Sequence, residues 1–416
     1  MSTIPPLVTA NLGLLPQLPQ GVEAAAGRFA PLFKELAAPP FRIVADSSVL
    51  FNTHSTDNTG RAPQDHVPDW DGKGGLEGWR AYQNTHHDLA PPPGRAHALI
   101  RKLLTLNQYA TDPYNEPLVR VDVVSKMPYA LADRFMKAIE RDFSAHSNQG
   151  IRRFSYGQNG KVIGHGASDP RIQELIKKLG LEEKIQAGGP IPNLLEFGAN
   201  LYITASPYWA AQALLNGIAA VYIPPHINNL DTDDGQPIIV SFDCDGVIID
   251  DEAEKEFQKG ATFLERLFNF DQHETNLVNT IPLLGPLFPA FLGLYGLASL
   301  FSHLPSEQRP FRIIMVTARG PATQRRIKAS LRKLGLNNAE VMSAVEQMSG
   351  EEKGPWLVRN NATVHFDDSP KHIGSALKHG IIAGHVVDGV VNEAIIAALA
   401  QKGDKAGDQF MLPFYK

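Results

Sequence analysis

An internal repeat constrains this chain more than any other feature. Leu201–Gly217 (LYITASPYWAAQALLNG) lies over Val364–Gly380 (VHFDDSPKHIGSALKHG) without a gap, sharing Ser-Pro, Ala-Leu and the final glycine. Outward in the same order, Val123-Val124-Ser125 matches Met315-Val316-Thr317, and Ala45–Val49 (ADSSV) matches Asp243–Val247 (DCDGV). A repeat must be recognised before a fold is chosen, because both copies then have to form the same unit. Each copy has short β runs with helical sequence between them: Phe41–Ala45, Val119–Ser125 and Leu201–Thr204 in the first, Ile238–Phe242, Arg312–Val316 and Thr363–Phe366 in the second. Alternation of this kind predicts an α/β fold with a doubly wound parallel sheet.

The chain has 416 residues, room for two or three domains at roughly 150 residues each. The expected organisation is an N-terminal arm over 1–38, an α/β domain over 39–225, a linker over 226–236, a second α/β domain over 237–402 and a tail over 403–416. A helical pattern covers Leu76–Asn107, and Pro207–Asn216 reads as a helix closed by Gly217. Ile151–Gly166 reads as a hairpin turning at Asn159-Gly160.

The copies differ in chemistry. The second has carboxylates at Asp243, Asp245, Asp367 and Asp368, where this alignment gives the first Ala45, Ser47, Thr204 and Ala205. The first copy is therefore expected to be a degenerate partner that supports or shapes the site. Asp243 ends a buried-strand run, and ligands of open α/β sheets bind beyond such strand ends. Alone, the Asp243/Asp245 pair fits an ordinary turn equally well. Its weight comes from Thr317, Lys353 and Asp367-Asp368 following in order.

Those four segments resemble the motifs of the haloacid dehalogenase (HAD) superfamily of phosphatases. More narrowly, Met315–Gly320 (MVTARG), Lys353–Leu357 (KGPWL) and His365–Asp368 (HFDD) resemble the cytosolic 5′-nucleotidase type I family. The first half is similar to that family at Ser47–Phe51, Tyr82-Gln83, Pro92–Gly94 and Gly217–Ala220, so the resemblance spans about residues 41–390. It implies two HAD-like (Rossmann-like) domains with a helical, cap-like insertion in the second. The 151–166 hairpin and the very apolar 281–304 segment depart from the family pattern.

The resemblance also implies roles. Asp243 would attack phosphorus and form an aspartyl-phosphate, splitting one hard hydrolysis into two steps. Asp245 would protonate the leaving oxygen and then deprotonate the attacking water. Thr317, Ala318, Arg319 and Lys353 would bind the phosphoryl group, helped by backbone N–H groups at the following helix start. Asp243, Asp367 and Asp368, with the Asp245 carbonyl, would hold a metal, and an all-oxygen set suits Mg²⁺. Lys328 and Lys371 are rivals to Lys353.

Other features are read plainly. With 20% charged residues and a net charge of −5, the chain is a soluble globular type without the basic face that nucleic-acid binding needs. A single cysteine, Cys244, fits a reducing compartment, and two flanking acids disfavour it as a nucleophile. Met1–Gln20 lacks a basic region before an apolar stretch, so no secretory leader is expected; the expected location is cytoplasmic. Ile281–Leu304 has the length of a membrane span, but Pro282, Gly285, Pro286 and Pro289 interrupt it. It reads as a buried helix, with any exposed part serving a partner or a second subunit. Asp231–Gly235 lacks the acid that would close a calcium loop. His365, His372 and His379 read as surface or substrate-side histidines, and His86-His87 as solvated. Asp250, Asp251 and Glu252 face substrate or form an acidic helix start.

The expected substrate is a nucleoside monophosphate. A phosphatase for a sugar phosphate and a nucleotide-binding protein without turnover are the competing expectations, since fold alone does not choose the leaving group.

Overall fold

The computed structural model describes residues 40–52, 90–110, 117–125, 133–143, 189–225, 235–278, 280–317, 324–339, 341–347 and 352–415, with shorter pieces at 81, 84–85, 151–155, 157–158 and 161–162. Ten strands form one sheet. In the first half these are β1 (Phe41–Asp46), β2 (Val119–Val124) and β3 (Ile151–Ser155), then, after the short β4 (Gly157–Gln158) and β5 (Lys161–Val162), β6 (Leu201–Thr204) and β7 (Ala220–Tyr222). In the second they are β8 (Ile238–Phe242), β9 (Phe311–Thr317), β10 (Met342–Gln347), β11 (Val364–Asp367) and β12 (Ile382–His385). The order is β10-β9-β8-β11-β12-β7-β6-β1-β2-β3. Pairs within each half are parallel, and β12 meets β7 antiparallel through His385 and Tyr222. Strands such as β6, β8 and β11 are apolar-rich and buried throughout, as a parallel sheet covered on both faces requires.

Counted from the joint, the halves run β7-β6-β1-β2-β3 and β12-β11-β8-β9-β10, the same order twice. After α1 (His97–Leu104) and α2 (Asp133–Phe143), helix α3 (Ile191–Phe197) precedes β6 and α4 (Pro207–Leu215) follows it. In the second half α9 (Lys353–Arg359) and α10 (Pro370–Lys378) flank β11 in the same way. Gly198 (φ 61°) and Asn361 (φ 52°) take left-handed conformations at the same step, as do Gly217 (φ 78°) and Gly380 (φ 73°).

The sheet register corrects the expected alignment by one residue. Ala45 pairs with Val123 and Ile203, and Phe242 pairs with Met315 and Phe366. Asp46, not Ala45, therefore occupies the position of Asp243. The first half turns directly into a helical turn at Ser47–Leu50. The second takes one more residue through Gly246 at φ 66°, so Val49 and Val247, whose carbonyls accept from the Ala96 and Leu287 N–H groups, are in step while Ala45 and Asp243 are not. The expected hairpin over 151–166 is also narrower: Ile151–Ser155 joins the main sheet, and only β4 and β5 pair antiparallel. Its turn, Asn159-Gly160, lies outside the described residues.

Between β8 and β9 the chain inserts α5 (Glu252–Gln258), α6 (Phe263–Asn276) and α7 (Phe288–Ser299). Helix α6 begins with a capping box, Thr262 accepting from the Glu265 N–H while Glu265 reaches back. Most of the 281–304 run is buried: Phe291 of α7 meets Phe242 edge-on at 5.4 Å, and a side chain at Gly293 would strike the Phe41 ring. Among the described residues no helix is long and apolar enough to cross a membrane. The exposed apolar face lies on α6 instead, at Phe263, Leu264, Leu267 and Phe268.

Candidate active site

The carboxylates collect where β8 has neighbours on both sides. Chain order reverses there, β9 lying on one side and β11 on the other, and such a switch point opens a crevice beyond the strand ends. Asp243 follows β8, its N–H donating to the Phe366 carbonyl at 2.8 Å. Thr317 ends β9 and Asp367 ends β11, both fully buried, and Asp368 comes next. Lys353 opens α9 with no solvent exposure.

Lys353 Nζ donates to Asp243 Oδ1 at 2.8 Å and to Asp367 Oδ2 at 2.7 Å. Burial pushes the Asp243 carboxyl up to about 7, against the pull of Lys353 and with the push of Asp367. Burial alone would raise Asp367 too, but Lys353, His372 and His365 hold it well below the ordinary carboxylate range. The Lys353 ammonium stays above its ordinary value despite burial, because two carboxylates face it. At Asp368 burial, then the charges of Asp367 and Asp243, outweigh the pull of Lys353 and push the carboxyl well up.

The metal-site expectation can be tested on these groups. Asp243, Asp367 and Asp368 each offer an oxygen, all within 4.8 Å of one another. Three crowded carboxylates with one ammonium are short of positive charge, and oxygen donors suit Mg²⁺. Gly246 leaves the space: a Cβ there would sit 2.2 Å from Asp368 Oδ2. The residues fit the ion. The half-buried Asp245 stands at the turn, and its carboxylate is not one of the three that converge.

Ala318 and Arg319 lie outside the described residues, as does His86-His87. Lys328, Lys371 and Arg325 are exposed, so Lys353 is the lysine brought to the acids. His365 corrects the expectation of a surface or substrate-side group. It is fully buried, Nε2 lying 2.8 Å from Asp367 Oδ2 and Nδ1 3.0 Å from Ser241 Oγ. The ionised carboxylate can only accept, so Nε2 carries the proton and Ser241 donates to Nδ1. His372 is buried as well. Asp251 is a pin rather than a solvated acid, accepting from the Val390 N–H and pairing with Lys255 at 2.7 Å.

The same positions in the first half hold different chemistry. Asp46 accepts from Tyr202 Oη at 2.7 Å and from the Thr204 hydroxyl, and Ser47 Oγ donates to Ser125 Oγ at 2.8 Å. Pro190, Thr204 and Ala205 stand where Lys353, Asp367 and Asp368 stand in the second. Asp46 and Ser241 were not singled out in the sequence: the repeat pointed to the neighbouring Ala45, and only the strand register brings Asp46 to the position of Asp243.

No solved structure matches the chain. A family model described as 5′-nucleotidase matches residues 171–393, more than half of the chain and the whole of the carboxylate and lysine cluster. The chain belongs to the 5′-nucleotidase family.

Proposed function

We propose that the chain is a Mg²⁺-dependent 5′-nucleotidase that hydrolyses nucleoside 5′-monophosphates of the AMP type to nucleoside and phosphate. The observation that carries this is the buried Asp243–Lys353–Asp367 contact beside Asp368, in a chain of a nucleotidase family. Asp243 attacks phosphorus; its bond to the ester oxygen breaks, and the electron pair leaves on that oxygen, which Asp245 protonates. A water then gives its proton to Asp245 and attacks the aspartyl-phosphate, releasing phosphate and restoring the Asp243 carboxylate. Lys353 keeps Asp243 ionised in a buried position and neutralises the transferring group, and Thr317 donates to a phosphoryl oxygen. Bound by Asp243, Asp367, Asp368 and the Asp245 carbonyl, Mg²⁺ would supply charge neutralisation for the phosphoryl oxygens.

On this reading residues 237–402 are the catalytic domain, with α5–α7 as its cap-like insertion. Residues 39–225 are a degenerate copy that keeps Asp46 as a structural pin and turns nothing over.

Phosphate release from a panel of nucleoside monophosphates and sugar phosphates tests the reading. The expected result is release from a nucleotide, stopped by EDTA, restored by Mg²⁺ and lost in Asp243→Asn. No release from any ester, or an Asp243→Asn variant as active as the wild type, would sink the enzyme assignment. A sugar phosphate as the best substrate would sink the nucleotidase assignment alone.

A further inference from the structure

The insertion between β8 and β9 stands on a narrow neck. Ile249 pairs antiparallel with Leu284, the Asp250 N–H donates to Leu283 O at 2.9 Å, and the Gly285 N–H to Ile248 O at 2.8 Å. Beyond the neck, helices α5 and α6 fold back on each other, Phe257 meeting Phe263 and Phe270 edge-on. A two-point neck leaves the tilt of such a hairpin to whatever holds it further out.

One guanidinium does so. Arg326, 2% exposed, lies in the first turn of α8 (Gln324–Lys333), the helix that follows Thr317 and the phosphate-side segment. Its Nη2 donates to Glu252 at the start of α5, its Nη1 to Glu274 Oε1 near the end of α6 at 3.1 Å, and its Nε to Thr280 O at 3.2 Å. Both legs of the hairpin and the chain leaving it are thus tied to a single side chain. The planar fork of arginine suits three fixed acceptors, which a lysine cannot match. Glu274 is only 3% exposed, and a buried carboxylate without its cation is costly. Asp251 also ties the start of α5 to Val390. The hairpin so held carries Glu254, whose carboxyl is raised by burial and also feels the charge of Asp245.

We propose that Arg326 is a positioning residue for the leaving-group side of the reaction: it sets the α5–α6 hairpin relative to Asp245 from the helix that follows Thr317. This rests on the phosphatase reading above. It requires that only substrates large enough to reach the hairpin depend on Arg326.

The test uses the full chain as wild type, Arg326→Gln, Arg326→Lys and Glu274→Gln. Each is assayed with Mg²⁺ on the best nucleoside monophosphate of the panel and on p-nitrophenyl phosphate, and melted in parallel. Expected for Arg326→Gln is a KM for the nucleotide raised about tenfold or more, with kcat/KM for p-nitrophenyl phosphate within about twofold of wild type. Arg326→Lys should recover part of the loss, and Glu274→Gln should move KM the same way. Parallel loss on both substrates, or an unchanged nucleotide KM, overturns the proposal. Should Arg326→Gln fail to fold, Glu274→Gln decides by the same split. If the wild type prefers a sugar phosphate, the nucleotidase reading fails and the split is read on that ester; no release from any ester overturns both.

Discussion

Lys353 shows how one residue sets the state of its neighbours. Its ammonium is the only cation the described residues place against Asp243 and Asp367, and it favours the ionised Asp243 carboxylate against burial. In Lys353→Met two buried carboxylates face each other without their shared cation, a loss of about 3–5 kcal/mol without metal and of about 10²-fold or more in kcat. Thermal unfolding should show Mg²⁺ stabilising the variant more than the wild type, and equal shifts would argue against a shared site. His385 gives the pH counterpart. Burial lowers its imidazole to about 4, below the ordinary value of about 6.5, so the folded state prefers it neutral. Its contribution is whole above about pH 6.5 and is lost as pH falls toward 4, by up to about 3 kcal/mol. Unfolding free energy against pH should therefore climb less steeply across that window in His385→Gln; an unchanged slope would count against the assignment.

Among the elements, α10 and the C-terminal segment depend on a contact that leaves no room. Gly374 lies in α10, where alanine ordinarily favours the helix by about 0.5–1 kcal/mol. Here a Cβ would sit 2.1 Å from Tyr415 O, a backbone atom that cannot swing aside. Tyr415 Oη in turn lies 2.9 Å from His385 Nδ1, and His385 Nε2 lies 3.0 Å from the Asp368 carbonyl. Gly374→Ala is expected to lower the Tm, against helix propensity; a rise would show that the tail yields freely. The exposed face of α6 is the element-scale surprise. The 281–304 run packs against β1, β8 and β9 as the buried helix expected from the sequence, and the exposed apolar residues are Phe263 to Phe268.

For the whole molecule the ten-strand sheet matters most. Two apolar clusters each draw residues from both halves, the larger running from Phe41 to Val386. The tail adds ties across the joint: Arg95 Nη1 to Asp408 Oδ1 at 2.8 Å, and Tyr222 Oη to the same oxygen at 2.6 Å. Neither half closes its core alone, so calorimetry of the full chain should show one transition. Residues 237–416 expressed alone should not give a cooperative fold; two separate transitions, or a stable isolated half, would contradict this.

Local pattern and residue chemistry made the repeat, the strand runs and the order of Asp243, Thr317, Lys353 and Asp367-Asp368 legible in the sequence. These features are written in consecutive residues: apolar runs for buried strands, acids at their ends, glycine where a turn needs positive φ. The position of Asp46 was not legible, because register is set by hydrogen-bond ladders between strands far apart in the chain, and a one-residue difference in the following turn disguised it. Nor was the pairing of Arg326 with Glu252 and Glu274, or the burial of His365, since every one of these residue types is ordinarily solvated. Only the tertiary structure decides which charges leave water, and it does so by bringing together groups that the chain keeps tens of residues apart.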